Sequence, residues 1–374
     1  MIKFIHTADL HLGTSFSSSF LSAKKARRRR QDLLDTFEKI IKYGLEKEVD
    51  VFFLSGDLFE YKYADKFLIN YIKDILKLTK TIPVFISPGN HDPVLKDSYY
   101  LSYKWPDNVH IFKNENWEKV YLSRPGINVY GLGWQRWHIE ENLLNNLECE
   151  KDKINFVLLH ADNKSENSTY LPIDLRMKND RNITYMALGH VHQMEKIYSK
   201  KRLIAAYPGT PEPLDINEGG KHGFILGKVL DKNVELEFIP IAKRKYIKKE
   251  IILSEQDNYN TLREKLLKIF EDGKKDDIYR ICLTGLIDTD FELDIELIKE
   301  EFIDKVFYLQ ILDKTEPSYN IAELKLTHQG DIIGIFIEDL NNKIENSSGR
   351  QKEIYQKALY YGLDALLSKK VILR

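Results

Sequence analysis

Ile2-Lys3-Phe4-Ile5-His6-Thr7, followed by Ala8-Asp9-Leu10-His11-Leu12-Gly13, is the stretch on which the fold turns. Its first half is short and rich in β-formers, as a buried strand requires, and it runs straight into a carboxylate and an imidazole. The same layout returns twice. Val51-Phe52-Phe53-Leu54-Ser55 leads into Gly56-Asp57, and Val84-Phe85-Ile86-Ser87 leads into Gly89-Asn90-His91-Asp92. Helical patterns at residues 25–46 and 64–78 separate the three runs. The spacing therefore predicts α/β layering, with chemistry at the strand ends, where open α/β sheets bind ligands.

Farther along, strand-like segments dominate residues 109–241, at 119–122, 127–132, 154–160, 185–192, 203–207, 224–229 and 234–239, with one helix expected at 139–147. Two packed sheets flanked by helices follow from this, an α/β fold with residues 1–241 as its main domain. Residues 242–249, with Arg244, Lys245, Lys248 and Lys249, read as a basic linker. A small α/β domain is expected over 248–313, with helices at 258–271 and 293–302. Beyond the turn signal Glu316-Pro317-Ser318, a C-terminal helical segment over 318–374 carries helices at 329–344 and 350–367.

Composition narrows the class. The 374 residues carry 56 Lys plus Arg against 57 Asp plus Glu, a formal charge of -1, which excludes a protein that coats polyanions by bulk charge. The two cysteines, Cys149 and Cys282, match no C-x-x-C spacing, so neither a disulfide framework nor a cysteine metal site is expected. No run approaches the ~18 apolar residues of a membrane span. A cytoplasmic protein without export signal or membrane anchor is the expectation.

Of the ten histidines, His11, His91, His160, His190 and His192 fall at or just after expected strand ends. In extended backbone, residues i and i+2 point the same way, so Asp9 with His11, and His190 with His192, each present two donors to one point. Gly56 and Gly89 let the chain turn sharply and let an ion or phosphate approach. Mixed oxygen and imidazole donors suit Mn, Fe or Zn better than Ca or Mg.

The ordered set Asp-x-His, Gly-Asp, Gly-Asn-His-Asp, His and Gly-His-x-His resembles the calcineurin-like metallophosphoesterase superfamily, over roughly the first 240 residues. The resemblance implies a two-sheet β-sandwich flanked by helices, holding two divalent metal ions, Mn2+ above all. Asp9, His11, Asp57 and His192 would hold one ion and Asp57, Asn90, His160 and His190 the other, with Asp57 bridging. Such a pair activates a water that attacks phosphorus and clamps the phosphodiester oxygens, while His91 protonates or holds the leaving group.

Within the superfamily, His6 to Gly13, Gly56-Asp57-Leu58-Phe59 and Tyr207-Pro208-Gly209-Thr210 resemble the double-strand-break repair nuclease branch, of the SbcD and Mre11 type. Protein phosphatases continue the second motif as Asp-Arg-Gly and usually end the third in Glu, where this chain has Phe59-Glu60 and Asp92. Two positions depart from the nuclease pattern: Thr210 stands where Ser is commoner, and Glu60 where His is common. A carboxylate stands at the Glu60 position in phosphatases, so Glu60 is expected either to orient His91 and favour its acid form or to face solvent.

What the branch implies is a DNA exonuclease with some single-strand endonuclease activity, working with a coiled-coil ATPase of the SbcC and Rad50 type. It also implies a homodimer formed near the helix at 64–78, whose apolar stripe includes Phe67, Leu68 and Tyr71, and a small domain capping the active site. Two rivals remain: a metallophosphatase for a small phosphoester or phosphoprotein, and a non-catalytic scaffold of the same fold. The run Lys24-Lys25-Ala26-Arg27-Arg28-Arg29-Arg30 reads as a solvated helix start or, through Arg27, Arg28, Arg29 and Arg30, as a DNA-backbone contact. One of Trp105, Trp134 and Trp137, all in loop-like surroundings, is a candidate for stacking on an unpaired base.

Overall fold

The computed structural model describes residues 1–16, 21–175, 181–199 and 202–368; residues 369–374 of the expected C-terminal segment lie outside these. The chain divides into two compact units, Met1–Tyr246 and Ile247–Arg374.

In the first unit, β1 (Ile2–Thr7), β2 (Val51–Leu54), β3 (Val84–Ile86) and β4 (Val109–Ile111) pair in parallel, each with the next. β11 (Gly223–Leu230) joins β1 antiparallel and β12 (Asn233–Pro240) completes a six-stranded sheet in the order β12-β11-β1-β2-β3-β4. The second sheet runs β5-β6-β7-β8-β10-β9, from β5 (Glu118–Leu122), β6 (Ile127–Gly131), β7 (Asn155–His160), β8 (Tyr185–Gly189), β9 (Glu195–Ser199) and β10 (Arg202–Tyr207). Between the sheets lies a core of Phe4, Phe53, Phe85, Phe156, Leu158 and Tyr185 with their neighbours. All four residues of β2 are buried, which is why it reads as an unbroken apolar run rather than an alternating one.

Helices α1 (Ala23–Glu46) and α2 (Lys66–Lys77) cover the outer face of the first sheet, packing Phe37, Ile40, Ile41, Ile69 and Ile72 on Ile5, Phe52 and Ile86. A single turn, α3 (Tyr99–Ser102), follows β3. Ser22 and Asp65 cap α1 and α2 by accepting from backbone N–H groups three residues on. The outer face of the second sheet is covered by Trp134, Ile139, Leu144, Leu147 and Leu171.

Four expectations need correction. The helix expected at 139–147 is only a 3-10 turn, Leu143–Asn146. Asn142 makes no side-chain cap, Asn145 Oδ1 accepts from Arg181 Nη2 at 3.2 Å, and Ile139 instead bridges to Tyr170. Residues 242–249 are not a plain linker, because β13 (Tyr246–Leu253) starts inside them and Arg244 is buried with Nε 2.6 Å from Asp32 Oδ2. The strand expected to reach His192 ends at Gly189. Arg29, read as a DNA contact, is wholly buried, its Nη1 donating to Glu212 at 2.9 Å and Asp32 at 3.1 Å, so it faces the core and not a ligand.

The second unit has a three-stranded sheet, β13-β14-β15, with β14 (Ile278–Ile287) parallel to β15 (Tyr308–Pro317). Helices α4 (Tyr259–Glu271) and α5 (Ile295–Phe302) share its core through Leu262, Leu266, Ile298 and Phe302. Three further helices, α6 (Ile321–Thr327), α7 (Ile332–Glu345) and α8 (Gly349–Leu363), pack about Ile337, Leu340, Leu359 and Leu363. Among the described residues no helix is long and apolar enough to cross a membrane.

Candidate metal centre

The loops after β1, β2 and β3 are stitched together beyond the strands themselves. Asp9 N–H donates to Gly56 O at 3.0 Å, His11 N–H to Asp57 O at 2.8 Å and Tyr61 N–H to His91 O at 2.9 Å. Asp92, fully buried, ties the second loop to the third: it accepts from the N–H groups of Asp57, Leu58 and Gly89 and from the Tyr100 hydroxyl. Asp9 in turn accepts from the His190 N–H at 3.0 Å, drawing the loop after β8 into the same place.

Strand alternation is not what makes the donors converge. Asp9, His11 and Asp57 lie past their strands with φ of 52°, 44° and 50°, and His190 has φ 106°, all in the left-handed region that non-glycine residues rarely adopt. Four such residues in one cleft are strained backbone held by its surroundings, a pattern that clusters at functional sites. The close packing also requires glycine. A Cβ on Gly189 would stand 1.7 Å from Ser55 O, and one on Gly89 would stand 2.4 Å from Asp57 Oδ1.

Three sets of donors approach within 4.8 Å of one another: Asp9 with His11 and His192, His11 with Asp57 and His91, and Asp9 with Asp57 and His160. Asp57 is the hub. Its Oδ2 is 3.6 Å from His11 Nε2 and 3.3 Å from His160 Nε2. Asn90 Oδ1 is 3.0 Å from His160 Nε2, and the His190 ring stands edge-on to His160 with centroids 5.4 Å apart. All seven residues singled out as donors are thus in one cleft, most of them buried.

The electrostatics are those of anions and imidazoles holding one another. Burial pushes the Asp57 carboxyl up, but His160 beside it outweighs this and holds it well below the usual carboxylate range. Burial pushes His160 down, and Asp57 reverses this and raises it to about 9. Glu60 joins two histidines, with Oε1 2.7 Å from His11 Nδ1 and Oε2 3.1 Å from His91 Nδ1. Burial raises the Glu60 carboxyl, but those hydrogen bonds prevail and bring it down to about 2. His91, bonded to Glu60, is lifted to about 9. Sequence reasoning missed Glu218, whose Oε1 is 2.7 Å from His192 Nδ1. It lies in the loop Asn217-Glu218-Gly219, where nothing in the local pattern marks it.

Carboxylates, imidazoles and one amide oxygen, converging on two adjacent points, are a donor set that suits divalent ions such as Mn2+, Fe2+ or Zn2+. Fold and cleft together define a metallophosphoesterase, a class that uses a pair of divalent metal ions. The chain belongs to the calcineurin-like phosphoesterase family, whose pattern matches residues 2–194. It is similar to the uncharacterized metallophosphoesterase YhaO of Bacillus subtilis (strain 168), 25% identical over 367 residues, covering 92% of this chain and 89% of that one. It is also similar to the DNA double-strand break repair protein Mre11 of Archaeoglobus fulgidus, 26% identical over 350 residues, covering 83% and 73% of the two chains. With the protein of the same description from Saccharolobus solfataricus it shares 25% identity over 313 residues, covering 76% and 79%.

Proposed function

We propose that this metallophosphoesterase is a metal-dependent DNA phosphodiesterase acting on strand ends in double-strand-break repair. The observation that carries the reading is the pairing of the seven-donor cleft with His91, held on Glu60 at its rim. In this reading Asp9, His11, Asp57 and His192 hold one cation, and Asp57, Asn90, His160 and His190 the other. Bound divalent ions supply positive charge against the phosphoryl oxygens and a water acidic enough to attack near neutral pH. The chain's own residues do the rest. Asp57 fixes the spacing of the two positions, and Asp92 holds the Asp57 and Gly89 backbone in place.

His91 Nδ1 is committed to Glu60, so Nε2 is the nitrogen that delivers a proton to the leaving sugar oxygen. Its side chain is 45% exposed, as a group that must meet a polymer requires. The similarity to proteins described as DNA double-strand break repair protein Mre11 supports DNA as the substrate. Mn2+ is the cation of choice in this reading. The partner is a coiled-coil ATPase, and the exposed Leu326, Ile332, Ile335 and Ile354 of the terminal helices offer it an apolar surface. Phe67 on α2, 86% exposed, suits the proposed homodimer contact.

The Glu60 to His91 pair also favours a second reading, a phosphatase for a small phosphoester, since phosphatases place a carboxylate there. End-labelled linear DNA and p-nitrophenyl phosphate, each with Mn2+, Mg2+ or chelator, separate the two. Nucleotide release that needs Mn2+ and stops with chelator supports the nuclease. Turnover of the small ester alone overturns it.

A further inference from the structure

The imidazoles of the cleft are backed by two different kinds of group. His11 Nδ1 meets Glu60 Oε1 and His192 Nδ1 meets Glu218 Oε1, each at 2.7 Å. His160 Nδ1 instead meets the Ser55 carbonyl at 2.9 Å, and the His190 ring leans on Tyr170 with centroids 5.1 Å apart. The carboxylate-backed rings aim at one place, with His11 Nε2 and His192 Nε2 3.3 Å apart. An imidazole that donates to a carboxylate is fixed in tautomer and orientation and is more basic at its other nitrogen, and loss of such a backing group costs roughly 10–100-fold in metal affinity.

We propose that the two cation positions are unequal: Glu218 and Glu60 make the Asp9, His11, Asp57 and His192 position tight, and the Asp57, Asn90, His160 and His190 position is weaker and fills second. The proposal rests on the metal-dependent reading given above. Charge points the same way. Around the first position stand the carboxylates of Asp9, Asp57, Glu60 and Glu218, whereas the second shares Asp57, has Asp9 Oδ1 only at 4.0 Å from His160 Nδ1 and is otherwise built from an amide and two imidazoles. Asp162 faces His190 electrostatically, but its Oδ1 accepts from the Lys164 N–H at 2.6 Å.

Glu218 is built to hold its geometry. Its Oε2 accepts from the Leu214 N–H at 2.8 Å, and its carbonyl meets His222 Nε2 at 3.0 Å, while His222 Nδ1 meets the Thr210 hydroxyl at 2.8 Å. A carboxylate locked on both sides presents one orientation to His192 and loses little freedom when a cation binds. The functional consequence is regulation by divalent-ion supply. At low ion concentration the chain is half-loaded, and hydrolysis rises only with occupancy of the second position.

Glu218 is the cleaner residue to alter, because Glu60 also holds His91. Titration calorimetry of the full chain with MnCl2 is expected to show two steps differing at least about tenfold in Kd. Glu218→Gln is expected to weaken the first step about tenfold and to leave the second within about threefold. Electron paramagnetic resonance should show an isolated Mn2+ signal at one equivalent and a spin-coupled pair at two. Two indistinguishable steps in the wild-type protein, which needs no variant, overturn the proposal, as does a Glu218→Gln effect confined to the second step. A wild-type protein that binds no Mn2+ overturns the metal reading itself, and an isotherm without binding heat together with the unchanged six-line spectrum of free aqueous Mn2+ tells that failure apart.

Discussion

Arg29 and Glu212 meet inside the core with Nη1 2.9 Å from Oε2, and both side chains are essentially inaccessible, at 0% and 1% exposure. Arg29 also donates to the Pro213 carbonyl at 2.7 Å, and Glu212 accepts from the Thr36 hydroxyl and the Lys243 N–H. α1 is thereby bolted to the loop that continues to Glu218. Arg29→Ala leaves a buried carboxylate without its partner, which is expected to cost about 3–5 kcal/mol in urea unfolding. A variant as stable as the wild type would show the contact to be idle. Arg27 and Arg28 remain exposed. In the nuclease reading, reversing the charge of Arg27 is expected to weaken DNA binding and flatten its salt dependence while sparing the fold, whereas Arg28, with Nε 3.3 Å from the buried Asp32 Oδ1, also serves the fold.

Glu60 is the carboxylate that His91 meets, Oε2 standing 3.1 Å from Nδ1. With that carboxylate as hydrogen-bond partner, His91 is lifted to about 9, which favours its acid form. The acid form is lost as pH rises through about 9. Glu60→Gln removes the largest support, so the alkaline limb of the pH profile of kcat/KM is expected to move down toward the ordinary histidine value. An unmoved limb contradicts the pairing.

His6 makes stability depend on pH in the opposite range. It is buried with Nδ1 2.8 Å from the Tyr185 hydroxyl and Nε2 3.1 Å from the Leu188 carbonyl, and burial pushes it down to about 3. The neutral ring donates from Nε2 and accepts at Nδ1. The unfolded chain takes up this proton near 6.5 and the folded chain only near 3. Stability is therefore full above 6.5 and falls toward pH 3, by up to about 1.4 kcal/mol per unit. His6→Asn should reduce the slope in urea unfolding between pH 7 and 5. An unchanged slope assigns the acid sensitivity elsewhere.

Among the three candidate tryptophans, Trp105 and Trp134 are buried and Trp137 is 45% exposed. The Trp137 ring stands edge-on to Tyr61 at 5.5 Å, and the Tyr61 N–H donates to the His91 carbonyl. If a base of single-stranded DNA stacks there, Trp137→Ala loses about 1–3 kcal/mol of binding. The expected outcome is a KM for single strands raised about 5- to 150-fold, with kcat and small-ester hydrolysis unchanged. A fall in kcat alone contradicts a stacking role.

The first sheet was legible because its central strands are buried on both faces and so read as apolar runs cut off by polar clusters, as Val51–Leu54 before Gly56-Asp57 shows. The donors were legible by residue type and position at strand ends. Their convergence was misread, since it depends on left-handed backbone at Asp9, His11 and Asp57, which no alternation rule encodes. Arg29 and its three basic neighbours look alike in sequence. Only the tertiary placement of Glu212, far along the chain, decides which one is buried. Glu218 was missed for the same reason, and β4 and β9 because they are short and only partly buried.

Anomalous diffraction at the manganese edge from crystals grown with Mn2+ reads directly whether one carboxylate is shared by two cations. Two peaks are expected to flank the Asp57 carboxylate, one toward His11 and His192 and the other toward Asn90, His160 and His190. A cleft without peaks, or a lone ion that leaves Asp57 untouched, would contradict that arrangement.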